Sequence, residues 1–158
     1  MSDILFKTDD YIFSYRVGGV LIHNGKILMQ NAEGDDGYAF IGGHVAFGET
    51  NAETLKREYK EEMGLDITVG KLRWVMENFF PWGDRVCHQV GTFYLIDIDK
   101  DLPEKFLCNE KDCIDGGNIW FYMFPIEDLD KITVYPLGLK KLIEDIDGEI
   151  KHLIYKEI

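Results

Sequence analysis

Three glutamates, Glu58, Glu61 and Glu62, stand at i, i+3 and i+4 spacing within a short segment of the chain. On a helix this spacing puts them on one side, where each pair of like charges repels by about 0.2–0.5 kcal/mol. A divalent cation would turn that repulsion into coordination, because hard cations take carboxylate oxygens as ligands. The spacing therefore indicates a metal site, and the alternative is a solvated acidic helix face.

The flanking residues predict the helix that must carry these carboxylates. Thr50-x-x-Glu53 has the pattern of a capping box, so the helix should begin near Asn51. Gly64 stands where a left-handed residue would end it. The buried face is predicted from apolar residues at helical spacing, namely Ala52, Leu55, Tyr59 and Met63. The glutamates flank this face, so their side chains can point into a cleft at the edge of the core.

The whole of residues 43–65 resembles the signature of the Nudix hydrolases, G-x5-E-x7-R-E-U-x-E-E-x-G-U, where U is a bulky aliphatic residue. The one departure is Tyr59, which replaces an aliphatic residue. Its place on the core face explains the departure, because that face requires bulk more than branching. The matching positions are Gly43, Glu49, Arg57, Glu58, Glu61, Glu62, Gly64 and Leu65.

This resemblance implies a fold and an activity. The fold would be an α/β/α sandwich with a mixed β-sheet. The activity would be metal-dependent hydrolysis of a phosphoric anhydride (pyrophosphate) bond in a nucleoside-diphosphate-linked substrate, with Mg²⁺ or Mn²⁺ as cofactor. ADP-ribose, another nucleotide sugar and a nucleoside triphosphate stay open as substrates. The rival hypothesis is a catalytically idle nucleotide-sensing module, which is disfavoured because every motif glutamate is kept.

The resemblance also suggests roles for individual residues. Glu58, Glu61 and Glu62 would hold the metal, together with the backbone carbonyl of Gly42. Arg57 would orient the glutamates and is counted with Glu58 as catalytic. Glu58 is the first choice for the general base. Glu49, just before the helix, is expected to organise the loop or the metal shell.

Two positions depart from common Nudix patterns. Ile41 stands where many members have proline. Many also have an extra acidic ligand before the tryptophan of a late strand, whereas Asn118 stands near Trp120. Whether an acidic residue earlier in the sequence serves as the extra metal ligand or base is open. The candidates are Glu110, Asp112 and Asp115.

Substrate contacts are predicted outside the motif. Arg16, on the first long strand, could pair with a phosphate. Asn78 could read the edge of a base. Phe80 could stack on a base, as could its aromatic neighbours Trp74, Phe79 and Trp82. His88 and Gln89 lie in the middle of a long strand, where one could face the pocket; His88 is assigned to the core or the surface.

Composition limits the class of protein and of partner. A chain of 158 residues, 46% hydrophobic and 29% charged, predicts a single folded domain over residues 1–158. The net charge of −12 argues against a nucleic-acid polymer as partner. A small-molecule nucleotide is expected instead, and its phosphates would be repelled unless a metal ion mediates the encounter.

The remaining expectations concern compartment and assembly. Cys87, Cys108 and Cys113 form no metal-binding pair and are predicted to be reduced thiols. The sequence has neither a signal-peptide pattern nor an apolar run of the ~20 residues that span a bilayer, so a cytoplasmic location without membrane contact is expected. Exposed aromatic residues near 79–82 could support a homodimer.

The order of elements predicts the α+β class. Strands are predicted at 11–22, 26–30, 38–41, 72–80, 85–98, 118–124 and 150–155. The Asn24-Gly25 pair between the first two indicates a hairpin. A second amphipathic helix is predicted at 136–146, opened by Pro136.

Overall fold

The computed structural model describes residues 2–32, 37–102, 105–107, 119–134 and 137–158. Its elements confirm the α+β class. The strands are β1 (Leu5–Lys7), β2 (Tyr11–His23), β3 (Lys26–Ala32), β4 (Gly42–His44), β5 (Thr68–Trp82), β6 (Arg85–Asp97), β7 (Lys105–Leu107), β8 (Ile119–Pro125) and β9 (Lys151–Lys156). The helices are α1 (Asn51–Met63), a 3-10 helix (Ile126–Lys131) and α2 (Leu139–Glu144).

The strands described form one mixed sheet in the order β7-β8-β3-β2-β6-β5-β9, with β1 and β4 also paired to β2. Most neighbours are antiparallel, and β2–β6 and β5–β9 are parallel. The predicted hairpin joins β2 to β3, where Asn24 (φ 51°) and Gly25 (φ 73°) both adopt positive φ. That conformation matches the turn which an Asn-Gly pair favours.

Each face of the sheet has its own core. Val17 and Leu21 of β2 pack with Leu55 and Tyr59 of α1 on one face. Val20, on the other face of β2, packs with the cluster that contains Leu129, Leu139 and Ile143 of the 3-10 helix and α2. Because side chains alternate along a strand, one central strand serves both cores. The helices therefore cover both faces of the sheet, as the sandwich prediction requires.

Two predicted elements differ from those observed. At 38–41 the chain makes only isolated bridges, and the strand that pairs with β2 is β4, where Gly42 lies opposite Gly18. A Cβ on Gly42 would come within 2.0 Å of the Val17 carbonyl oxygen, so only glycine permits this approach. The helix predicted at 136–146 is shorter, because Gly138 at φ 72° precedes its first turn. Pro136 lies outside the described residues.

None of the helices in the described residues has the length and apolar character of a membrane-spanning segment. Cys87 is a free, buried thiol, while Cys108 and Cys113 lie outside the described residues.

Candidate active site

Helix α1 forms as its capping signals predict. The Thr50 hydroxyl accepts a hydrogen bond from the Glu53 amide, and the Glu53 carboxylate accepts one from the Thr50 amide. At the other end Gly64 adopts a left-handed conformation (φ 66°), and its amide donates back to the Lys60 carbonyl. These caps satisfy terminal backbone groups and fix which residues of the segment are helical.

The first turn of α1 is tied to the sheet through Asn51. Its Oδ1 accepts from the Tyr15 hydroxyl at 2.7 Å, and its Nδ2 donates to the Tyr94 hydroxyl at 2.8 Å. Tyr15 belongs to β2 and Tyr94 to β6, so the helix is held over the parallel pair at the centre of the sheet. This attachment fixes the position of α1 relative to the sheet, and with it the position of the motif glutamates.

Arg57 is bonded to three carboxylates. Its Nε and Nη2 donate to the two oxygens of Glu49 at 2.8 and 3.1 Å. Its Nη1 donates to Glu58 Oε1 at 2.8 Å and to Glu61 Oε2 at 3.3 Å. The hydrogen bonds from Arg57 lower the pKa of Glu49 to about 2, and Glu49 in turn raises the pKa of Arg57. Arg57 thus links three glutamates by hydrogen bonds, and its role as their orienter in catalysis stays a prediction.

Glu58, which is buried, and Glu62, which is partly buried, form an acidic pair. Burial raises the pKa of Glu58, and it raises the pKa of Glu62 to about 8, with the nearby Glu58 as the second cause. Glu62 Oε2 is buried and has no hydrogen-bond partner among the residues described. Glu61 differs from both, since its side chain is 53% exposed and is bonded to Arg57.

Gly43 of β4 lies directly against Glu58. A Cβ on Gly43 would come within 2.4 Å of Glu58 Oε1. Gly42 precedes it in β4 and is buried. The loop and the helix of the motif therefore meet at Glu58, which explains why the segment needs glycine at this point.

A cavity of about 340 Å³ borders the core cluster of the 3-10 helix and α2, because Phe40, Met76 and Phe93 belong to that cluster and also line the cavity. Arg16 lies on its wall and also lowers the pKa of both Glu58 and Glu62 through its charge. Arg16 is therefore within electrostatic reach of the acidic pair as well as of the cavity. The other lining residues are Val17, Gly18, Ala39, Phe40, Met76, Asn78, Phe80, Gln89, Gly91, Phe93 and Glu157.

All three residues predicted to contact substrate, Arg16, Asn78 and Phe80, line this cavity. The other stacking candidates do not. Trp74 is 1% exposed and packs against Phe40 and Phe93 in the core. Phe79 packs on His88 with ring centroids 4.3 Å apart, and Trp82 is a partly exposed residue at the end of β5.

Ser14, His44 and Gln89 form a hydrogen-bonded chain beside the cavity, which the sequence did not predict. Ser14 is fully buried, and its hydroxyl oxygen lies 3.0 Å from His44 Nε2 and accepts from Gln89 Nε2 at 3.0 Å. Burial, followed by the charge of Arg16, lowers the pKa of His44 and favours the neutral imidazole. Sequence reasoning identified Gln89 only as one of two strand residues that could face a pocket. The sequence alone does not reveal that Gln89 on β6 lies opposite Asn78 on β5.

Comparison with known proteins agrees with this geometry. The model of the NUDIX domain matches residues 13–146, which is most of the chain. The chain belongs to the Nudix hydrolase family. The matched region contains both the capped helix with its glutamates and the strands that line the cavity.

Solved structures share the Nudix fold at low sequence identity. A mutator MutT protein from Bacillus halodurans is 16% identical with a TM-score of 0.62, and the match covers 91% of each chain. An ADP-ribose pyrophosphatase from Streptococcus suis is 14% identical with a TM-score of 0.55, covering 89% of this chain and 98% of that one. A UDP-X diphosphatase is 18% identical with a TM-score of 0.58, covering 89% of this chain, which spans only 66% of that enzyme's length.

Nudix hydrolases generally use divalent metals, and the acidic pair has the chemistry to hold one. Glu58 and Glu62 are desolvated carboxylates that repel each other, and one buried oxygen of Glu62 lacks a partner in the described structure. Hard cations prefer such oxygen donors. Among the described residues no three His, Cys, Asp or Glu side chains form a ready-made metal cluster. Glu61 is bonded to Arg57 instead, and the acids near Trp120 lie outside the described residues.

Proposed function

We propose that this Nudix hydrolase cleaves the pyrophosphate bond of a nucleoside-diphosphate-linked compound by water attack, with Mg²⁺ or Mn²⁺ as cofactor. The observation that supports this most directly is the position of Arg16. It lines the cavity and lies within electrostatic reach of Glu58 and Glu62. A nucleoside in the cavity would thus direct its phosphates toward the acidic pair.

The chain's own residues have separate tasks in this reaction. A bound metal ion would supply charge neutralisation and an activated water, with Glu58, Glu61, Glu62 and the Gly42 carbonyl as its ligands. Arg57 holds Glu58 and Glu61 in orientation through Nη1. Burial raises the proton affinity of Glu58, which suits it to accept a proton from water as general base.

The substrate would be held by the residues that line the cavity. Phe80 offers an aromatic face to the base, Asn78 reads its edge, and Arg16 pairs with a phosphate oxygen. ADP-ribose, other nucleotide sugars and nucleoside triphosphates all present a nucleoside joined to a pyrophosphate. The names of the structural neighbours, an ADP-ribose pyrophosphatase and a UDP-X diphosphatase, favour the first two classes.

The test is a hydrolysis screen with Mg²⁺ and Mn²⁺, in which products are resolved by chromatography. The substrates are ADP-ribose, nucleotide sugars, dinucleoside polyphosphates and nucleoside triphosphates. The Glu58→Gln protein serves as the blank, and a fall of at least ~100-fold in turnover is expected because it loses a metal ligand and the base together. Metal binding without cleavage of any compound would contradict the proposal and favour a nucleotide sensor.

Exposed aromatic residues are the basis for a proposed homodimer. Trp82 is 38% exposed at the end of β5, and Phe6 and Phe47 are more exposed still. We expect these aromatic residues to support a homodimer, and sedimentation velocity of the wild type and of Trp82→Ser tests this.

A cytoplasmic location accords with the free thiol of Cys87; fractionation of cells that express the tagged chain would check it.

A further inference from the structure

Tyr15 of β2 is hydrogen-bonded to both ends of the loop that carries Glu49. At the start of the loop, the Tyr15 carbonyl oxygen accepts from the Val45 amide at 3.0 Å. At its end, the Tyr15 hydroxyl donates at 2.7 Å to Oδ1 of Asn51, the first residue of α1. The intervening residues 46–50 therefore have both of their ends fixed to one residue of the central strand.

The N-terminal segment completes a ring of backbone hydrogen bonds at the start of this loop. The Tyr15 amide donates to the Ile4 carbonyl at 3.1 Å, and the Ile4 amide donates to the Val45 carbonyl at 2.8 Å. With the bond from Val45 to Tyr15, these bonds form a closed cycle. Val45 is 2% exposed, so the cycle lies in the interior, where hydrogen bonds are strengthened. The Ser2 carbonyl adds a further bond from the Phe47 amide at 2.9 Å.

The loop fixed in this way brings Glu49 to Arg57. The Glu49 amide donates to the Ala46 carbonyl at 3.1 Å, which closes a turn within the loop. The Glu49 carboxylate accepts from Arg57 at 2.8 and 3.1 Å, and Arg57 donates onward to two of the glutamates proposed as metal ligands. A path of hydrogen bonds and short stretches of chain thus connects Tyr15 to the proposed metal site.

We propose that Tyr15, with Ile4 and Asn51, forms a clamp that positions the loop of Glu49 and, through Arg57, the metal-binding glutamates. Tyr15 is a positioning residue in this arrangement, because it acts through Glu49 and Arg57. Ligands that are held in place before a cation arrives lose less conformational freedom when it binds, which favours affinity. The inference rests on the proposed function, since its main consequence is a change in metal affinity.

The test compares Tyr15→Phe with the wild type in two measurements. Calorimetric titration of the metal-free protein with MgCl₂ gives the metal affinity, and ¹⁵N NMR in EDTA follows the Nε–H signal of Arg57. Loss of the hydroxyl should weaken Mg²⁺ binding about fivefold, the change in an equilibrium constant that corresponds to one hydrogen bond. The Arg57 signal should exchange faster with water, because Glu49 no longer holds Nε–H in one geometry.

Tyr155→Phe is the matched control. It also removes one tyrosine hydroxyl, which donates to the Leu137 carbonyl at 3.1 Å, and Tyr155 lies on β9 at the edge of the sheet. Its Mg²⁺ affinity and its Arg57 signal should equal those of the wild type. Thermal melting checks that each variant is folded.

Two further variants separate positioning from a general loss of stability. Deletion of residues 2–4 removes the backbone part of the clamp and should weaken Mg²⁺ binding in the same way as Tyr15→Phe. In a Glu49→Gln background, Tyr15→Phe should have little further effect on Mg²⁺ affinity, because the clamp acts through Glu49.

The inference would be overturned by an unchanged Mg²⁺ affinity in both Tyr15→Phe and the deletion variant. An equal loss in Tyr155→Phe, or full additivity with Glu49→Gln, would also overturn it. Hydrolysis by the wild type would then leave the proposed function standing without the clamp. If the wild type binds no Mg²⁺, the proposed function fails, and the Arg57 signal still decides on the clamp: an unchanged signal in both variants would reject it.

Discussion

At the scale of single residues, Arg57 is the cation that is hydrogen-bonded to the carboxylates of the motif. Arg57 has bonds to Glu49, Glu58 and Glu61, whereas Glu62 keeps a buried oxygen without a described partner. Arg57 makes two bonds to Glu49, which lies outside the cluster of Glu58, Glu61 and Glu62, and one bond each to Glu58 and Glu61. Glu49 therefore holds Arg57 in place through two bonds, and Arg57 in turn donates to Glu58 and Glu61.

The Glu49–Arg57 pair should make stability depend on pH. The pKa of Glu49 is depressed from 4.5 to about 2 by hydrogen bonds from Arg57. A depressed pKa in the folded state means that the pair stabilises the protein above the unfolded-state pKa, and that this contribution is lost as the pH falls from about 4.5 towards 2. Urea unfolding should show Glu49→Gln less stable than wild type at pH 7, with the difference shrinking at pH 3. A difference that stays constant with pH would contradict this assignment.

Tyr59 buries a hydroxyl that has no described hydrogen-bond partner, and burial raises its pKa. Removing an unsatisfied buried hydroxyl while keeping the ring should be neutral or stabilising, by up to about 1 kcal/mol. We expect Tyr59→Phe to melt at the same temperature as wild type or higher. Calorimetry checks this, and Tyr15→Phe is the control: its hydroxyl donates to Asn51, so its loss should destabilise the protein.

At the scale of elements, α1 is defined by its caps. Thr50 closes a reciprocal pair of bonds with Glu53, and removing the hydroxyl leaves a terminal amide unsatisfied. Thr50→Ala should therefore lower the free energy of unfolding by about 1 kcal/mol, measured by urea titration. Thr50→Ser keeps the hydroxyl and should be close to wild type. Equal losses in both variants would assign the effect to the methyl group instead.

The helix was predictable because its signals are local. The capping box, the left-handed glycine and the glutamate spacing all lie within residues 50–64, and the structure has each of them. The cavity was predictable only in part, because it depends on register between distant strands. Arg16, Asn78 and Phe80 were found by residue type. Gln89 was not selected, since only the pairing of β5 with β6 puts it opposite Asn78.

Short elements were the least predictable. Strand β4 has three residues, and its position depends on a close approach between Gly18 and Gly42. Helix α2 begins late because Gly138 interrupts the amphipathic pattern. In both places backbone geometry at a glycine outweighs the apolar periodicity that predicts the element.

At the scale of the whole molecule, the net charge of −12 and the acidic pair of Glu58 and Glu62 both favour cation binding. A ligand that binds only the folded state stabilises it by RT ln(1 + [L]/Kd), about 2.7 kcal/mol at 100 times Kd. Mg²⁺ should therefore raise the melting temperature more than NaCl of equal ionic strength. In Glu62→Gln this difference should largely vanish. An equal response to both salts would indicate charge screening alone.

The parallel pairing of β2 with β6 also constrains how the chain reaches its native state. Residues 11–21 must find partners 75 positions further along, from Val86 to Ile96. Such non-local contacts slow folding, because a long loop must close before any pairing compensates for the lost entropy. During synthesis the centre of the sheet stays open until β6 has left the ribosome. Until then β2 has an unpaired edge, and such an edge can pair with other chains before the sheet is complete.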